Sequence, residues 1–364
     1  MFKCFICLNV YMKIMTAKEL FLYAIEKNAS DIHLVASVPP LVRIDGKLNY
    51  VEGQKELKNS DIEAIAFSII SDDQKERFNH TKDLDFGFEL DEHRFRVNLS
   101  YEKRNVRLVA RVINNEVPSL DEIGMPKVIY NLLGLKQGLI LLTGPTGCGK
   151  STTLAAMIEY INDNEFKNII TFEDPVEFVF ESKKSVISQR ELGSDMLSFG
   201  AGLKHAMRQD PNVIMVGEMR DLETIATTIT LAETGHLVLA TLHTYNAAQT
   251  IDRIIDAFPP HQQNQVRMQL SMTLASVISQ RLLPKQGGGR VAAREIMLNT
   301  SAVSNMIREQ KIAQIKSVIE TSSKDGMFSM DQDIQRIYKD KEVEKEVAQS
   351  YMDHPELLDK FKIL

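Results

Sequence analysis

Gly144-Pro145-Thr146-Gly147-Cys148-Gly149-Lys150-Ser151-Thr152 fits the spacing G-x-x-x-x-G-K-[ST]. It follows an apolar run, Leu139 to Thr143, and opens a helix-forming one, Thr153 to Ile161. That strand-then-helix context is where the pattern has a mechanism. Glycines let the backbone curl until successive N–H groups face one anion. The following helix adds the positive end of its dipole. Lys150 places a point charge on the outer phosphates of a nucleoside triphosphate, and the Ser151 hydroxyl can ligate Mg2+. A chance glycine turn would lack both flanking elements.

Three further stretches end apolar runs with groups that could act on such a ligand. Val213-Ile-Met-Val-Gly-Glu218 places a carboxylate at a strand terminus, where ligands collect in an open α/β sheet. An Asp is the commoner residue there, and the longer Glu218 suits activation of a water or contact through one. Ile169 to Phe172 leads into Glu173-Asp-Pro-Val-Glu177. Glu173 or Asp174 could ligate the metal or polarise the attacking water, whereas Glu177 reads equally well as a surface acid. Leu237 to Thr241 is bracketed by His236 and His243. A single histidine on an apolar strand is usually a core residue. The bracketing pair assigns His243 to sensing the terminal phosphate and His236 to positioning Glu218 or to a subunit contact. Arg94, Arg96, Arg104, Arg107 and Arg111 crowd one short stretch. They make either a solvated sheet face or a set from which one or two guanidiniums reach a nucleotide on a neighbouring subunit, which their forked, permanently charged donors suit.

The elements that must position these groups fall into two patterns. From about residue 122 onward, buried strands alternate with helical stretches, which implies parallel strands joined by helical crossovers. Before that, Thr16 to Lys27 has helical spacing with Thr16 and Glu19 set as a capping box. Asp31 to Val35 alternates as a strand, Leu41 to Tyr50 reads as a hairpin around Asp45-Gly46, and Ser60 to Ile70 is a second helix. Leu84 to Leu90, His93 to Leu99 and Arg107 to Ile113 alternate as strands. The expected organisation is an N-terminal extension at 1–15, with Met12 or Met15 as the start, then an α+β domain at 16–113. A polar linker follows at 114–121 and an α/β domain with a helical C-terminal part at 122–364.

Of the 364 residues, 44% are apolar and 25% charged, which excludes a disordered, collagen-like or disulfide-stapled chain. Lys plus Arg number 43 against 49 Asp plus Glu, a net charge of −6, so no nucleic-acid partner is expected. The 3 cysteines point to a reducing compartment. Cys4 and Cys7 lack the second pair that a tetrahedral metal site needs. No stretch is long and apolar enough to span a bilayer, so the expectation is a cytoplasmic protein without membrane insertion.

In order, the phosphate loop, Glu173–Glu177, Met207–Asp221 and Thr234–His243 resemble the Walker A, Asp box, Walker B and His box of the type II/type IV secretion-system ATPase superfamily. The resemblance runs from about Thr16 to the region of Met330. Gly287-Gly-Gly-Arg-Val-Ala-Ala-Arg-Glu-Ile296 and Ala302-Val-Ser-Asn-Met-Ile-Arg-Glu309 are most similar to its twitching-motility retraction branch. The resemblance implies a PAS-like N-terminal domain, a RecA-like C-terminal domain and a homohexameric ring with ATP and Mg2+ at the subunit boundary. Arg96 and Arg111 would be the arginines supplied there. Hydrolysis would change the domain angle through a hinge at Asn114–Leu120 and act on an inner-membrane pilus platform protein, with the motor peripheral at that membrane. Ser304 departs from the branch, which usually carries Arg at that position. The assembly ATPases of the superfamily carry a longer N-terminal region and a four-cysteine insertion, and their absence here favours retraction. The alternatives are an accessory retraction ATPase, a secretion or pilus-assembly ATPase, and a nucleotide-gated ring with little turnover.

Overall fold

The computed structural model describes residues 14–359 other than 45, 92, 114 and 115. Cys4, Cys7 and most of the expected N-terminal extension lie outside the described residues, as does Asp45. The chain divides into two compact units that meet in sequence between Glu116 and Val117.

The first unit is a six-stranded sheet with helices at Ala17–Glu26, Asn59–Phe67 and Asp72–Thr81. Its strands are β1 (Asp31–Leu34), β2 (Leu41–Ile44), β3 (Lys47–Tyr50), β4 (Asp83–Leu90), β5 (His93–Glu102) and β6 (Asn105–Ile113). They run β3-β2-β1-β6-β5-β4, each pair antiparallel. Alternation sets which face is buried. Phe95, Val97 and Leu99 on β5, with Val106, Leu108 and Ala110 on β6, are wholly buried. Arg94, Arg96, Arg107 and Arg111 therefore take the opposite face. The Ala17–Glu26 helix starts as its sequence dictates. Thr16 Oγ1 accepts from Glu19 N at 3.3 Å, and the Glu19 carboxylate accepts from Thr16 N at 2.7 Å. Its Phe21 meets Phe95 edge-on at 4.6 Å between ring centroids.

The second unit carries a seven-stranded sheet built from β7 (Gly138–Thr143), β8 (Asn168–Glu173), β9 (Val186–Glu191), β10 (Val213–Val216), β11 (Leu237–Leu242), β12 (Leu274–Pro284) and β13 (Arg290–Leu298). The order is β13-β12-β7-β11-β10-β8-β9. Every pair is parallel except β12 with β13. The mainly parallel sheet expected from the strand–helix alternation is thus present. Both faces are covered, which is why these strands read as unbroken apolar runs. Leu139, Leu141, Ile170, Phe172, Ile214 and Val238 pack on one side. Ile140, Leu142, Ile169, Val213, Met215 and Leu239 pack on the other, against Leu154, Met157, Ile158 and Ile161 of the Lys150–Asn164 helix. Helices between Ser301 and Asp359 complete the unit. No helix among the described residues is long and apolar enough to cross a membrane.

Some elements differ from expectation. The Asp72–Thr81 helix buries only Phe78, so it shows no apolar stripe. β12 begins directly after a helix, Pro260–Thr273, with no glycine or proline between them. β9 is a half-polar edge strand. Within the stretch expected to link the units, Leu120 is buried with Ile129, Leu133 and Ile140 in the second unit's core. Within the first unit, Phe95→Ala should cost about 3–5 kcal/mol, since its ring anchors the strand that presents Arg94 and Arg96. Urea unfolding followed by circular dichroism would measure it.

Candidate nucleotide site

Strand register brings the sequence motifs together. Thr143 pairs with Leu242, Ala240 with Val216, and Val216 with Phe172. The residues that follow (Gly144, His243, Gly217-Glu218 and Glu173) therefore emerge along one edge of the sheet, at the carboxyl ends of adjacent strands. Strands in a sheet lie about 4.8 Å apart, so the four motifs share one crevice.

The loop itself is shaped by glycine. Gly144, Gly147 and Gly149 all have positive φ, at 144°, 79° and 85°. A Cβ at Gly144 would collide with the backbone oxygen of Gln280 and lie 2.7 Å from Cys148 Sγ. Pro145, Thr146 and Gly147 form the outer part of the loop, and Cys148 is buried beneath it; burial pushes its thiol pKa up. Lys150 Nζ donates to Gly144 O at 2.7 Å and Pro145 O at 3.1 Å, which holds the ammonium over the loop. Burial lowers its pKa, and the nearby Cys148, Glu218 and Glu177 oppose that shift. Ser151 is exposed at the first turn of the Lys150–Asn164 helix, with Thr152 half-buried beside it.

The two strand-end glutamates differ. Glu173 is buried, and its Oε1 accepts from Thr171 Oγ1 at 2.6 Å and Gln189 Nε2 at 3.0 Å. Burial pushes its pKa up, and these bonds pull it back. Glu218 keeps one oxygen 2.5 Å from Arg220 and the other 3.4 Å from His243 Nε2. His243 is half exposed at the mouth of the crevice. His236 does not reach Glu218. It lies at the opposite, amino-terminal end of β11, where its Nδ1 faces Leu231 O at 2.9 Å and helps close the preceding helix. A parallel sheet separates the two ends of a strand, so the bracketing histidines cannot share one site.

The arginines lie in the first unit. Arg43, Asp31, Arg111 and Arg96 occupy directly opposed positions across β2, β1, β6 and β5. Asp31 accepts from Arg111 Nε at 3.0 Å and lies 3.5 Å from Arg43 Nε. Burial alone would raise the Asp31 pKa, but the Ser30 and Arg111 bonds outweigh it and hold the group below its usual range. Arg94 pairs with Glu89, Arg107 lies 3.9 Å from Glu102, and Arg104 sits in the β5–β6 turn.

The donors around the loop also suit Mg2+. Ser151 and Glu218 offer hard oxygen ligands, and a cation that keeps several waters and shares substrate phosphates needs only one or two of these from the protein.

Sheet, loop and strand-end acids define a RecA-like phosphate-loop nucleoside triphosphatase. The family described as Type II/IV secretion system protein matches residues 11–357, and the chain belongs to it. It is 47% identical over 318 residues to a type IV pilus retractation ATPase PilT of Pseudomonas aeruginosa, covering 87% of this chain and 92% of that one. It is 45% identical over 316 residues to a twitching motility protein of Neisseria gonorrhoeae, covering 86% and 84%. A crystal structure of the pilus retraction motor PilT with bound ADP superposes with a TM-score of 0.89 at 43% identity, covering 95% of this chain and 100% of that one.

Gly144→Ala should abolish measurable nucleotide binding. It forces a strained φ worth about 1–3 kcal/mol and drives a methyl into the Gln280 carbonyl. Titration with a fluorescent ADP analogue would check it.

Proposed function

We propose that this protein is a Mg2+-dependent ATPase that powers retraction of type IV pili, working as a homohexamer on an inner-membrane pilus platform protein from the cytoplasmic side. The observation that carries the reading is the strand register that gathers Lys150, Ser151, Glu218 and His243 at one sheet edge, in a chain whose relatives are named for pilus retraction and twitching. The solved relative with ADP bound supports the nucleotide.

In this reading Gly144 to Thr152 cradle the phosphates, and Lys150 neutralises charge on the outer ones. Ser151 and Glu218 would hold Mg2+, with Glu173 behind them; the ion supplies positive charge to the phosphoryl oxygens. Glu218 faces the attacking water and takes its proton. Glu173 is the more buried acid and steadies the strand end. His243, within 3.4 Å of Glu218, reports on the terminal phosphate. Arg96 and Arg111 come from a neighbouring copy and meet the developing negative charge, as arginine fingers do. Rotation between the two units, about the connection near Glu116–Val117, converts each turnover into work.

Glu218→Gln should lower phosphate release by about 100-fold or more while ADP binding persists. If wild-type turnover is no faster than the variant's, the motor reading fails and a nucleotide-gated ring replaces it. Arg111→Ala and Lys150→Ala, each inactive alone, should regain activity when mixed, because a mixed ring restores some complete boundaries; no recovery at any ratio would place Arg111 outside the active site. Cells lacking the protein should be hyperpiliated and unable to twitch. Bald cells would assign it to assembly instead.

A further inference from the structure

We infer that Gln280 and Arg294 are positioning residues of the nucleotide site, and that they couple the phosphate loop to the turn at residues 119–125 by which the chain enters the second unit. The inference rests on the loop being a nucleotide site, as read above.

Gln280 lies under the loop because β12 runs beside β7, with Ser279 paired to Thr143. The nearest atom to a Cβ at Gly149 would be Gln280 Nε2, at 3.1 Å. That Nε2 donates to Cys148 O at 2.7 Å, while Oε1 accepts from Thr153 Oγ1 at 3.0 Å and Arg294 Nε at 2.9 Å. Arginine can only donate. Its Nε therefore fixes the amide with oxygen toward β13 and nitrogen toward the loop. The consequence falls on one peptide. The Cys148 carbonyl and the Gly149 N–H share a planar trans unit and point in opposite directions. Holding the carbonyl down on Gln280 aims the Gly149 N–H into the mouth of the loop. Without that anchor the peptide can turn, which withdraws a phosphate donor and presents an oxygen in its place.

Arg294 carries the connection onward. It sits opposite Gln280 in the β12–β13 pair. Its remaining donors, NH1 and NH2, reach Gly124 O at 3.0 Å and Ile123 O at 2.8 Å. Both Gln280 and Arg294 are 2% exposed, so none of these bonds is exchanged for water without opening the core. The turn they hold is itself closed by Ile123 N, Gly124 N and Met125 N donating to Ser119, Asp121 and Leu120. A path of hydrogen bonds thus runs from the loop backbone to the first turn of the unit, through two side chains.

The test uses the full chain. Gln280→Glu keeps the shape and the acceptor toward Arg294 but turns an acceptor onto Cys148 O. ADP binding, measured by calorimetry at a temperature where the variant is fully folded, should weaken about tenfold; a merely structural role would lower melting and leave the affinity of the folded protein alone. Arg294→Lys should weaken ADP in the same direction, and the double variant should bind no worse than Gln280→Glu, because the arginine acts through the amide. Wild type gives a reading independent of any variant: ADP should slow hydrogen exchange at Ile123, Gly124 and Met125. Unchanged affinity in the folded single variants, additive losses in the double variant, or exchange at these amides indifferent to ADP would each overturn the inference. If wild type binds no ADP at all, the nucleotide-site reading fails first, and the two failures are distinguishable.

Discussion

The alignment of the carboxyl ends of β7, β11, β10 and β8 is the constraint on which the rest of the second unit depends. It is imposed by packing and not by the polar groups that use it. Leu141, Phe172, Val216 and Ala240 face one core, and Leu142, Met215 and Leu239 face the other. A slip of one residue in any strand would move its end by about 3.3 Å and exchange the two faces. Because both faces are closely filled, neither exchange is tolerated. The acids and the loop inherit their separations from that hydrophobic fit.

Onto this frame the protein places charges that burial disfavours. Burial lowers the pKa of Lys150 and raises that of Glu173, so each is drawn toward its neutral form. Lys150 is supported by two backbone oxygens, and Glu173 by Thr171 and Gln189. Glu218 lies nearer the surface, between an exposed arginine and a half-exposed histidine. A bound nucleotide's polyphosphate supplies the negative charge that a buried lysine lacks, which ties the charge state of the loop to its occupancy.

What was legible in the sequence is what is encoded locally. The phosphate loop is nine consecutive residues, 144–152, with its strand and helix attached, and the strand-end acids follow runs whose burial is plain from composition. The Thr16–Glu19 box gave the first helix its start. Gln280 was invisible for the opposite reason. It lies 132 residues from the carbonyl it supports, in a strand that no glycine or proline separates from the preceding helix. The Asp72–Thr81 helix did carry a signal, since Ser71 and Gln74 cap it reciprocally, but a helix that buries one side chain has no apolar period to read. The reading of His236 as a neighbour of Glu218 had a remedy within the same logic. If ligands gather at strand carboxyl ends, a residue preceding β11 belongs to the other end of the sheet.

The first unit follows a different rule, and the difference bears on how copies can meet. Its sheet buries one face, so alternation leaves the other to polar residues, and there Arg96 and Arg111 stand directly opposed. Like charges at paired positions are unfavourable. Asp31 relieves Arg111 and Arg43, and an anion brought to the row would relieve it further. The same face carries Asp31, Glu89 and Glu102 against Arg111, Arg94 and Arg107. Exposed pairs of this kind are weak, so they order the side chains more than they stabilise the sheet, and a second copy meeting this face meets mixed charge and not a uniformly cationic surface.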